Sequence, residues 1–320
     1  MQGGKIMHDR ISALKFFIKP QYFEEYPLKW NEIFRNKRKI YVEIGFGSGE
    51  YMTALARKNP DINFIGFETS LTALYKAQVK FYKNNIKNAR VIQGDARLLI
   101  RELFPSNSIS KLIVNFPCPW PKKRHKERRI FIESFINTLA DVLKKGGTIE
   151  LATDVDWYAQ EVYENFEKSE FFEANEIIEN FERPVKTKYE LKWDKEGRNK
   201  YLFIAKKIKN NKVKRVLEGV SEIPHKTIKD VDMEKLKSLK DKHIREENIS
   251  FTVSSIYEDL LNDRYLLRVV STDDDFMQQY YVSIYKKTND WLVKLDSTTI
   301  PYRTPAVKFT VYKIAELIEK

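Results

Sequence analysis

The first part of the chain alternates between short runs of β-branched or aromatic residues and longer segments in which apolar residues recur at helical spacing. This alternation extends from Lys39 to Lys207 and predicts repeated βα units around a parallel sheet. The predicted strands are residues 40–44, 63–67, 89–93, 112–115, 148–152 and 201–207. Helices are predicted over residues 71–82 and 129–144, the second ended by Gly146-Gly147. The expected architecture is therefore an α/β fold with a doubly wound sheet.

Two segments at the margins of this sheet add to the prediction. Residues 171–178 predict one further strand, which would pair with residues 201–207 as an antiparallel edge of an otherwise parallel sheet. Residues 23–34 predict a helix that precedes the first strand.

The pattern changes after the polar, basic segment Lys209-Asn210-Asn211-Lys212, which is typical of a link between domains. Beyond it, a helix is predicted over residues 232–243, and Thr304-Pro305 begins a final helix that ends at Ile318. The predicted strands of this part are residues 251–257, 265–271, 279–285 and 291–295. We therefore expect an α/β domain over residues 1–209 and a smaller C-terminal α+β module over residues 210–320.

Composition restricts the environment of the protein. Hydrophobic residues make up 42% of the chain, and no run approaches the ~18 uninterrupted apolar residues of a membrane helix. Residues 1–11 lack the long apolar core of a signal peptide, so a cytoplasmic protein is expected. Cys118 is the only cysteine, and the four histidines show no zinc-type spacing. We therefore expect no membrane partner and no metal.

The overall charge is strongly basic, with a formal net charge of +12 and a pI near 9.3. This balance favours a polyanionic partner, because Lys and Arg side chains that neutralise phosphates release bound counterions. A solvated surface rich in Lys and Glu gives the same balance. The clustering of the charges along the chain therefore has to decide between the two interpretations.

A glycine-rich segment lies where the first predicted strand meets its helix, and in a doubly wound sheet a ligand binds there. The segment reads Glu43-Ile44-Gly45-Phe46-Gly47-Ser48-Gly49-Glu50. Its glycines permit a tight turn and close approach of a ligand to the backbone. A dinucleotide fingerprint requires glycine at the position of Glu50. The spacing instead suits adenosylmethionine, which has no pyrophosphate and whose cationic amino-acid end Glu43 can reach. A structural turn without a ligand is the alternative.

Acidic residues also follow the next two predicted strands. Glu68 ends the second strand, where its carboxylate can accept hydrogen bonds from both ribose hydroxyls. Asp95 follows the third strand and precedes Ala96, where it can accept from the adenine amino group. Each acid alone is more often a helix cap or a solvated residue. Together with the glycine segment they favour a cofactor site, to which Ala96 and Asn115, at the end of the fourth strand, are also assigned.

The most informative stretch follows the fourth predicted strand. It reads Asn115-Phe116-Pro117-Cys118-Pro119-Trp120-Pro121-Lys122-Lys123-Arg124-His125-Lys126-Glu127-Arg128-Arg129. Six cations within eight residues are typical of a platform for a phosphate backbone, and Trp120 can stack on a base or brace the loop. A solvated helix start is the alternative, but cations at a helix N-terminus oppose the helix dipole.

This stretch resembles one enzyme family, the bacterial tRNA (guanine-N7) methyltransferases, which carry F-P-D-P-W followed by K-x-R-H-x-x-R-R. The chain matches at Phe116-Pro117, Pro119-Trp120, Lys122 or Lys123, Arg124-His125 and Arg128-Arg129. The family's T-D pair and T-K-[FY]-E motif are present as Thr153-Asp154 and Thr187-Lys188-Tyr189-Glu190. Glu43, Glu68 and Asp95 fall on its cofactor positions. Several motifs in the right order, between residues 30 and 207, make a chance match improbable.

The resemblance implies a Rossmann-like class I methyltransferase that transfers a methyl group from S-adenosylmethionine to N7 of a guanine in the variable loop of tRNA. Its motifs imply that the residues holding the target nucleotide are Lys122, Asp154, Thr187 and Glu190. They also imply phosphate contacts from Arg124, His125, Arg128 and Arg129. Thr187 and Glu190 have the spacing of a helix capping box, and Asp154 can cap a following helix, so structural roles remain open.

Cys118 stands where the family has an aspartate that is assigned to catalysis. Guanine N7 carries a free lone pair, so methyl transfer needs in-line placement more than a general base. A carboxylate would still stabilise the positive charge that grows on the base, which a neutral thiol cannot do. Asp154 and Glu190 are the candidates for this role. Cys118 is expected to be a small residue packed between two prolines, with a reactive thiol as the alternative.

Two other functions are compatible with the sequence. Phe116-Pro117-Cys118 resembles the loop with which cytosine-C5 methyltransferases attack the base covalently, although that function does not predict the cation cluster. A catalytically inactive tRNA-binding protein is the other, but it has no need for three cofactor acids. The C-terminal module fits additional tRNA contact, self-association or stabilisation. A monomer and a homodimer are both compatible with the sequence.

Overall fold

The computed structural model describes residues 14–218 and 222–320, which divide into two compact units. Of these residues, 14–20 and 28–214 form the first unit, whereas 21–27, 215–218 and 222–320 form the second. The chain therefore passes between the units before its first long strand as well as near residue 214. None of the helices in the described ranges has the length and apolarity that a bilayer span requires.

The first unit is built on a sheet that has nine strands within the described residues. They are β1 (Phe17–Ile18), β2 (Lys39–Ile44), β3 (Ile62–Glu68), β4 (Ala89–Gln93), β5 (Ile109–Asn115), β6 (Leu143–Thr153), β7 (Phe172–Ala174), β8 (Ile178–Glu179) and β9 (Tyr201–Lys207). The strand order is β1-β4-β3-β2-β5-β6-β9-β7, with β8 paired to β9. Neighbours from β1 to β6 run parallel, and β9 is antiparallel to β6, β7 and β8.

Helices connect the central strands of this sheet. They are α1 (Trp30–Phe34), α2 (Glu50–Lys58), α3 (Leu71–Lys83), α4 (Ala96–Leu103), α5 (Glu133–Val142), α6 (Asp156–Glu167) and α7 (Lys188–Glu196). Short 3₁₀ helices occur at Leu14–Phe16, Pro20–Tyr22 and Lys123–Arg128. The central strands are fully buried at positions such as Val42, Ile65 and Leu112. Such strands are typical of a sheet that helices cover on both faces, and the doubly wound α/β fold expected from the sequence is confirmed.

The strand order places the candidate functional residues along one edge of the sheet. The chain moves outward from β2 to β3 and β4 and then returns to β5 on the opposite side of β2. The carboxyl ends of β4, β3, β2, β5 and β6 therefore follow one another along this edge. In doubly wound folds the ligand binds where the strand order reverses, which here is between β2 and β5.

Two predicted elements at the margins of this sheet differ from the structure. The predicted helix over residues 23–34 is helical only at Trp30–Phe34, because Pro27 lacks a backbone N–H and disfavours helical backbone at the preceding residue. Residues 21–27 belong instead to the second unit. The predicted strand over residues 171–178 is two short strands, β7 and β8, and both pair with β9 in the expected antiparallel sense.

A third difference concerns the glycine pair after α5. The predicted helix over residues 129–144 is confined to Glu133–Val142, and both glycines lie inside β6. The pairing of β5 with β6 shifts register near the start of β6, so residues 144–147 bulge from the ladder. A Cβ atom on Gly147 would lie 2.8 Å from the carbonyl oxygen of Lys144. The glycines therefore shape a strand and do not end a helix.

The second unit is a six-stranded antiparallel sheet with the order β10-β15-β14-β13-β12-β11. Its strands are β10 (His225–Ile228), β11 (His243–Glu246), β12 (Ile249–Glu258), β13 (Arg264–Asp273), β14 (Phe276–Lys286) and β15 (Trp291–Leu295), and its helices are α8 (Met233–Ser238) and α9 (Pro305–Ile318). The apolar face of α9, including Val307, Val311 and Ile314, shares one buried cluster with the central strands. The four predicted strands and the final helix are present. The predicted helix over residues 232–243 stops at Ser238, and β10 and β11 were not predicted.

Candidate active site

The glycine segment forms a turn whose backbone only glycine adopts without strain. Gly45, Gly47 and Gly49 have φ angles of +70°, +55° and +76°. A Cβ atom on Gly45 or Gly47 would have no heavy atom within 4 Å, so this backbone faces open space. A Cβ atom on Gly49 would lie 2.7 Å from the Cβ of Ala77. The first two glycines therefore leave room for a ligand, and the third allows α3 to pack closely.

Glu68 and Asp95 lie at the ends of β3 and β4 and make local contacts. Glu68 Oε2 accepts a hydrogen bond from the Gly47 amide at 3.0 Å, and its Oε1 accepts from the Thr69 amide at 2.9 Å. Asp95 caps α4, whose first residue is Ala96, and pairs with the guanidinium of Arg97 at 2.6 Å. Glu68 thus holds the glycine turn through Gly47, whereas Asp95 fixes the start of α4. Their contacts with a cofactor stay a prediction.

A chain of polar side chains connects the ends of β2 and β5 with α7. Asn115 Nδ2 donates to Glu43 Oε1 at 3.1 Å, and Asn115 Oδ1 accepts from Arg183 Nη2 at 2.7 Å. The same guanidinium donates to both carboxylate oxygens of Glu190, from Nε at 2.9 Å and from Nη2 at 2.6 Å. Arg183 thus links two residues assigned to the cofactor with one assigned to the substrate.

Arg183 was not predicted from the sequence. It lies in the segment Glu182-Arg183-Pro184, outside every cation cluster, and no spacing relates it to Glu43 or Asn115. Its guanidinium also stacks over the ring of Tyr51 at 4.5 Å, and its side chain is only 11% exposed. An isolated arginine beside a proline gives no signal of such burial.

Glu43 is a buried carboxyl group with one oxygen unpaired. The residue is 4% exposed, and Oε2 has no hydrogen-bond partner among the described residues. Burial raises the pKa of Glu43 to about 7, although the Asn115 hydrogen bond and the positive charge of Arg183 act in the opposite direction. A cationic ligand group beside Oε2 would stabilise the ionised form.

The raised pKa of Glu43 predicts a pH-dependent cofactor affinity. Below about pH 7 the carboxyl group is protonated and neutral, so it attracts an ammonium group less. Affinity for S-adenosylhomocysteine should therefore rise about tenfold between pH 6 and pH 8, because the ionised fraction of Glu43 rises from about one tenth to about nine tenths over this range. Calorimetric titration across this range measures the effect.

The matched variant for this titration is Glu43→Gln, which keeps the shape and removes the charge. Its affinity should be low and nearly independent of pH. A variant that retains the wild-type pH profile would show that another group titrates.

Thr187 and Glu190 form a complete capping box at the start of α7. The Thr187 hydroxyl accepts from the Glu190 amide at 3.1 Å, and Glu190 Oε2 accepts from the Thr187 amide at 2.7 Å. Glu190 is 0% exposed, and its two oxygens serve the cap and Arg183. The sequence allowed this pair either to contact the target nucleotide or to cap a helix. The structure shows the helix cap.

Asp154 follows β6 and has a different environment. Helix α6 starts at Asp156 with Val155 as N-cap and without a side-chain cap, so the possible capping role of Asp154 is wrong. The residue is half-buried, and its carboxylate makes no hydrogen bond or ion pair with the described part of the chain. Asp154 therefore remains available to a substrate at the edge next to β5.

The cation cluster forms the 3₁₀ helix at Lys123–Arg128 and the residues around it. Lys122, Arg124 and Arg128 are exposed, as a phosphate platform requires. Arg128 stacks over the ring of Trp120 at 4.9 Å, and the half-buried His125 contacts the edge of the same ring at 5.6 Å. Trp120 thus braces the cluster.

Arg129 differs from the other cations of this cluster, because it is only 7% exposed. It donates to the carbonyl oxygens of Pro119 and Trp120, at 3.2 Å and 3.0 Å, and pairs with Glu161. The expectation that it lies with its neighbours on an exposed phosphate platform is therefore corrected. Its hydrogen-bonding capacity is used to hold the preceding loop.

That loop carries Cys118 between two residues in the left-handed backbone region. Phe116 and Trp120 both have φ of +48°, which is costly for aromatic residues and persists only where surrounding contacts enforce it. The Arg129 hydrogen bonds supply such contacts at Trp120. Cys118 is exposed, so the expectation of a residue packed between two prolines is wrong. The strained turn projects the thiol outward.

The residues along this edge fit S-adenosylmethionine. Gly45 and Gly47 leave open space for it, and the unpaired Glu43 Oε2 suits its ammonium group. Glu68 and Asp95 lie at the following strand ends, in the direction its ribose and adenine would extend. In the described ranges, no group of three or more His, Cys, Asp or Glu side chains is arranged to hold a metal ion.

A doubly wound sheet with a glycine turn after β2 and acids at the ends of β2, β3 and β4 defines a Rossmann-like class I methyltransferase. Residues 37–203 match the family model described as "Putative methyltransferase". The chain is 47% identical to the tRNA (guanine-N(7)-)-methyltransferase of Thermotoga maritima over 94% of this chain and 96% of that protein. The chain belongs to the tRNA (guanine-N7) methyltransferase family.

Two further relatives carry the same name. The protein of Coprothermobacter proteolyticus is 32% identical over 94% of this chain and 93% of its own length. That of Listeria welshimeri is 33% identical over 57% of this chain and 87% of its own length. The family therefore includes proteins that match only about half of this chain.

Proposed function

We propose that this protein transfers the methyl group of S-adenosylmethionine to N7 of a guanine in the variable loop of cytoplasmic tRNA. One arrangement carries the proposal, namely the adjacency of the cofactor turn after β2 and the exposed cations after β5, which are neighbouring strands. A phosphate backbone bound at Lys122, Arg124 and Arg128 would bring a base to the point where the methyl group leaves the cofactor. The names of the relatives support guanine N7 as the acceptor.

The residues of this chain would act mainly by placement. S-adenosylmethionine supplies an electrophilic methyl group when it is bound. Gly45 to Gly49, Glu43, Glu68 and Asp95 would fix its position, and the loop from Phe116 to Trp120 would confine the base. The N7 lone pair needs no deprotonation, so orientation supplies most of the rate. The free Asp154 carboxylate would stabilise the positive charge that develops on the guanine.

The distribution of charge supports tRNA binding by the first unit. Residues 1–214 contain 40 Lys and Arg against 27 Asp and Glu, whereas residues 215–320 contain 17 against 18. The basic excess that attracts a polyanion thus belongs to the part of the chain with the candidate active site. We propose that residues 1–209 carry the reaction and residues 210–320 form an added module. The alignment with the Listeria relative covers 57% of this chain, which is consistent with this division.

Charge reversal at the platform tests the tRNA contact. The double variant Arg124→Glu and Arg128→Glu should weaken tRNA binding and lower the slope of log Kd against log salt by about two, because each lost phosphate contact removes about one unit. Both side chains are exposed, so folding should be unaffected. Filter binding at several salt concentrations measures both quantities.

The control makes the same change in net charge at the opposite edge of the sheet. Lys83 and Lys87 are exposed and lie just before β4, so Lys83→Glu with Lys87→Glu should change binding much less. Equal effects from the two double variants would mean that only the overall charge matters.

The exposed Cys118 favours one second candidate, a cytosine-C5 methyltransferase that uses this thiol as nucleophile. Incubation of unmodified tRNA with labelled S-adenosylmethionine, followed by mass spectrometry of the nucleosides, separates the two. We expect 7-methylguanosine, formed by wild type and by Cys118→Ala at comparable rates. Formation of 5-methylcytosine by wild type, with an inactive Cys118→Ala, would establish the second candidate. Tight tRNA binding without any product would indicate a binding protein.

A further inference from the structure

Two buried polar atoms, one on a carboxyl group and one on a guanidinium, lack partners within one hydrogen-bonded network of side chains. Glu43 Oε2 and Arg183 Nη1 have no hydrogen-bond partner in the part of the chain that the structure describes. The Asn115 amide bonds to both side chains, so Glu43 and Arg183 lie on either side of it. Leaving buried charged groups unsatisfied is costly, so two of them in one network point to a ligand that satisfies both.

The hydrogen bonds of the Arg183 guanidinium leave only one nitrogen free. An arginine side chain has five N–H donors. Nε donates to Glu190 Oε1, and Nη2 donates to Glu190 Oε2 and Asn115 Oδ1. Both remaining N–H groups are on Nη1. The contacts on the other two nitrogens fix the plane of the guanidinium, so Nη1 is held in one direction.

Arg183 lies at the end of the site where the amino-acid part of the cofactor would be. Its guanidinium stacks on Tyr51, the second residue of α2, which begins directly after the glycine turn. Asp95 and Glu68, assigned to the adenine and the ribose, lie toward β4 and β3, on the far side of β2. The methionine end would therefore extend toward β5, where Asn115 and Arg183 meet.

We propose that Arg183 binds the carboxylate of the cofactor's amino-acid end through Nη1, while Glu43 Oε2 binds the ammonium group. The proposal rests on the use of S-adenosylmethionine in the proposed function. The two side chains would then recognise a zwitterion, with each charge facing its complement. Since Glu190 orients the same guanidinium, the capping box of α7 also positions this contact. A lysine could not replace Arg183, because a single ammonium does not reproduce the fork that binds Glu190 and Asn115.

Paired ligands that differ only at the carboxylate test this proposal. Wild-type protein should bind S-adenosylhomocysteine about 10- to 100-fold more tightly than its decarboxylated analogue, as expected for a charge-assisted hydrogen bond pair. Arg183→Lys and Arg183→Gln should lose most of this preference. Their affinity for 5′-methylthioadenosine, which lacks the whole amino-acid end, should change less than about threefold. Calorimetric titration measures all of these affinities, and thermal melting checks the folding of each variant.

The matched control is Arg198→Gln, which removes an arginine that is 56% exposed and stacks on Trp193 at the other end of α7. It should keep the wild-type preference. Equal loss of affinity for S-adenosylhomocysteine and 5′-methylthioadenosine in the Arg183 variants would show a purely structural role and overturn the proposal. The proposal would also be overturned if wild-type protein bound S-adenosylhomocysteine and its decarboxylated analogue equally. This outcome does not depend on whether the variants fold. Wild-type protein that binds none of the ligands would instead overturn the cofactor assignment itself.

Discussion

Replacement of Asp154 by asparagine is expected to lower kcat about 100-fold, the effect of removing one group that stabilises developing charge. Affinity for tRNA and for the cofactor should change little, because the neutral isostere keeps the shape of the site. Asp154 is half-buried at the end of β6, and its carboxylate is free of protein partners in the described residues. Single-turnover transfer of labelled methyl to tRNA, with both ligands saturating, isolates the chemical step.

Asp154 is a better candidate than Glu190 or Cys118 for stabilising positive charge on the guanine. Glu190 is fully buried, and its two carboxylate oxygens accept hydrogen bonds from Arg183 and the Thr187 amide. Cys118 carries no carboxylate. The control is Asp156→Asn, because Asp156 is an exposed acid in the first turn of α6, two residues further along the chain. Its substitution should leave the rate within about fivefold, since a single exposed helix-dipole contact contributes less than about 1 kcal/mol. A wild-type rate in Asp154→Asn would remove the carboxylate from the mechanism.

The position of the acids assigned to the cofactor could be predicted, because they lie at or next to the ends of strands. The short β-branched and aromatic runs of β2, β3 and β4 alternate with helical segments, and this alternation locates the ends of the three strands in the sequence. Glu43, Glu68 and Asp95 follow directly from those ends and from the rule that parallel strands share an edge. The alternation of strands and helices predicts a doubly wound sheet, which the structure confirms, whereas the order of its strands is known only from the structure.

The connections between side chains far apart in the chain could not be predicted. Arg183 reaches Asn115 across 68 residues, and nothing in its local sequence marks the burial of its guanidinium. Arg129 is the opposite case, since its place in a cation cluster suggests exposure, although its side chain turns inward to bind carbonyl groups and Glu161. The pattern of charges along a segment predicts its average exposure, whereas the burial of a single side chain depends on which other residues pack against it.

Local turn geometry accounts for the errors in the extent of elements. The Gly146-Gly147 pair has the sequence signature of a helix end, and only the register between β5 and β6 shows that it serves a bulge. The strands β10 and β11 are four residues each and lie at the two margins of the second sheet. Residues there are mostly exposed, so these strands lack the apolar alternation by which β12 to β15 could be recognised.

Replacement of Glu190 by alanine is expected to lower the free energy of unfolding by about 3–5 kcal/mol, the usual cost of removing one partner from a buried ion pair. The Arg183 guanidinium is 11% exposed and would keep its charge without the carboxylate that holds it. The Thr187 amide would also lose its acceptor at the start of α7. Urea denaturation followed by circular dichroism measures the change.

Glu196→Ala is the control for this variant, because Glu196 lies on the same helix, is 41% exposed and pairs with the exposed Lys192 and Arg198. Its removal should cost no more than about 1 kcal/mol, as for other surface ion pairs. The comparison also separates the two roles that the sequence allowed for Glu190, namely a helix cap and a contact with the target nucleotide.

If Glu190→Ala has the stability of wild type but binds tRNA poorly, the carboxylate must turn toward the nucleotide when tRNA is bound. If stability falls as expected, Glu190 supports the site through Arg183, and Asp154 is left as the carboxylate that can face the guanine.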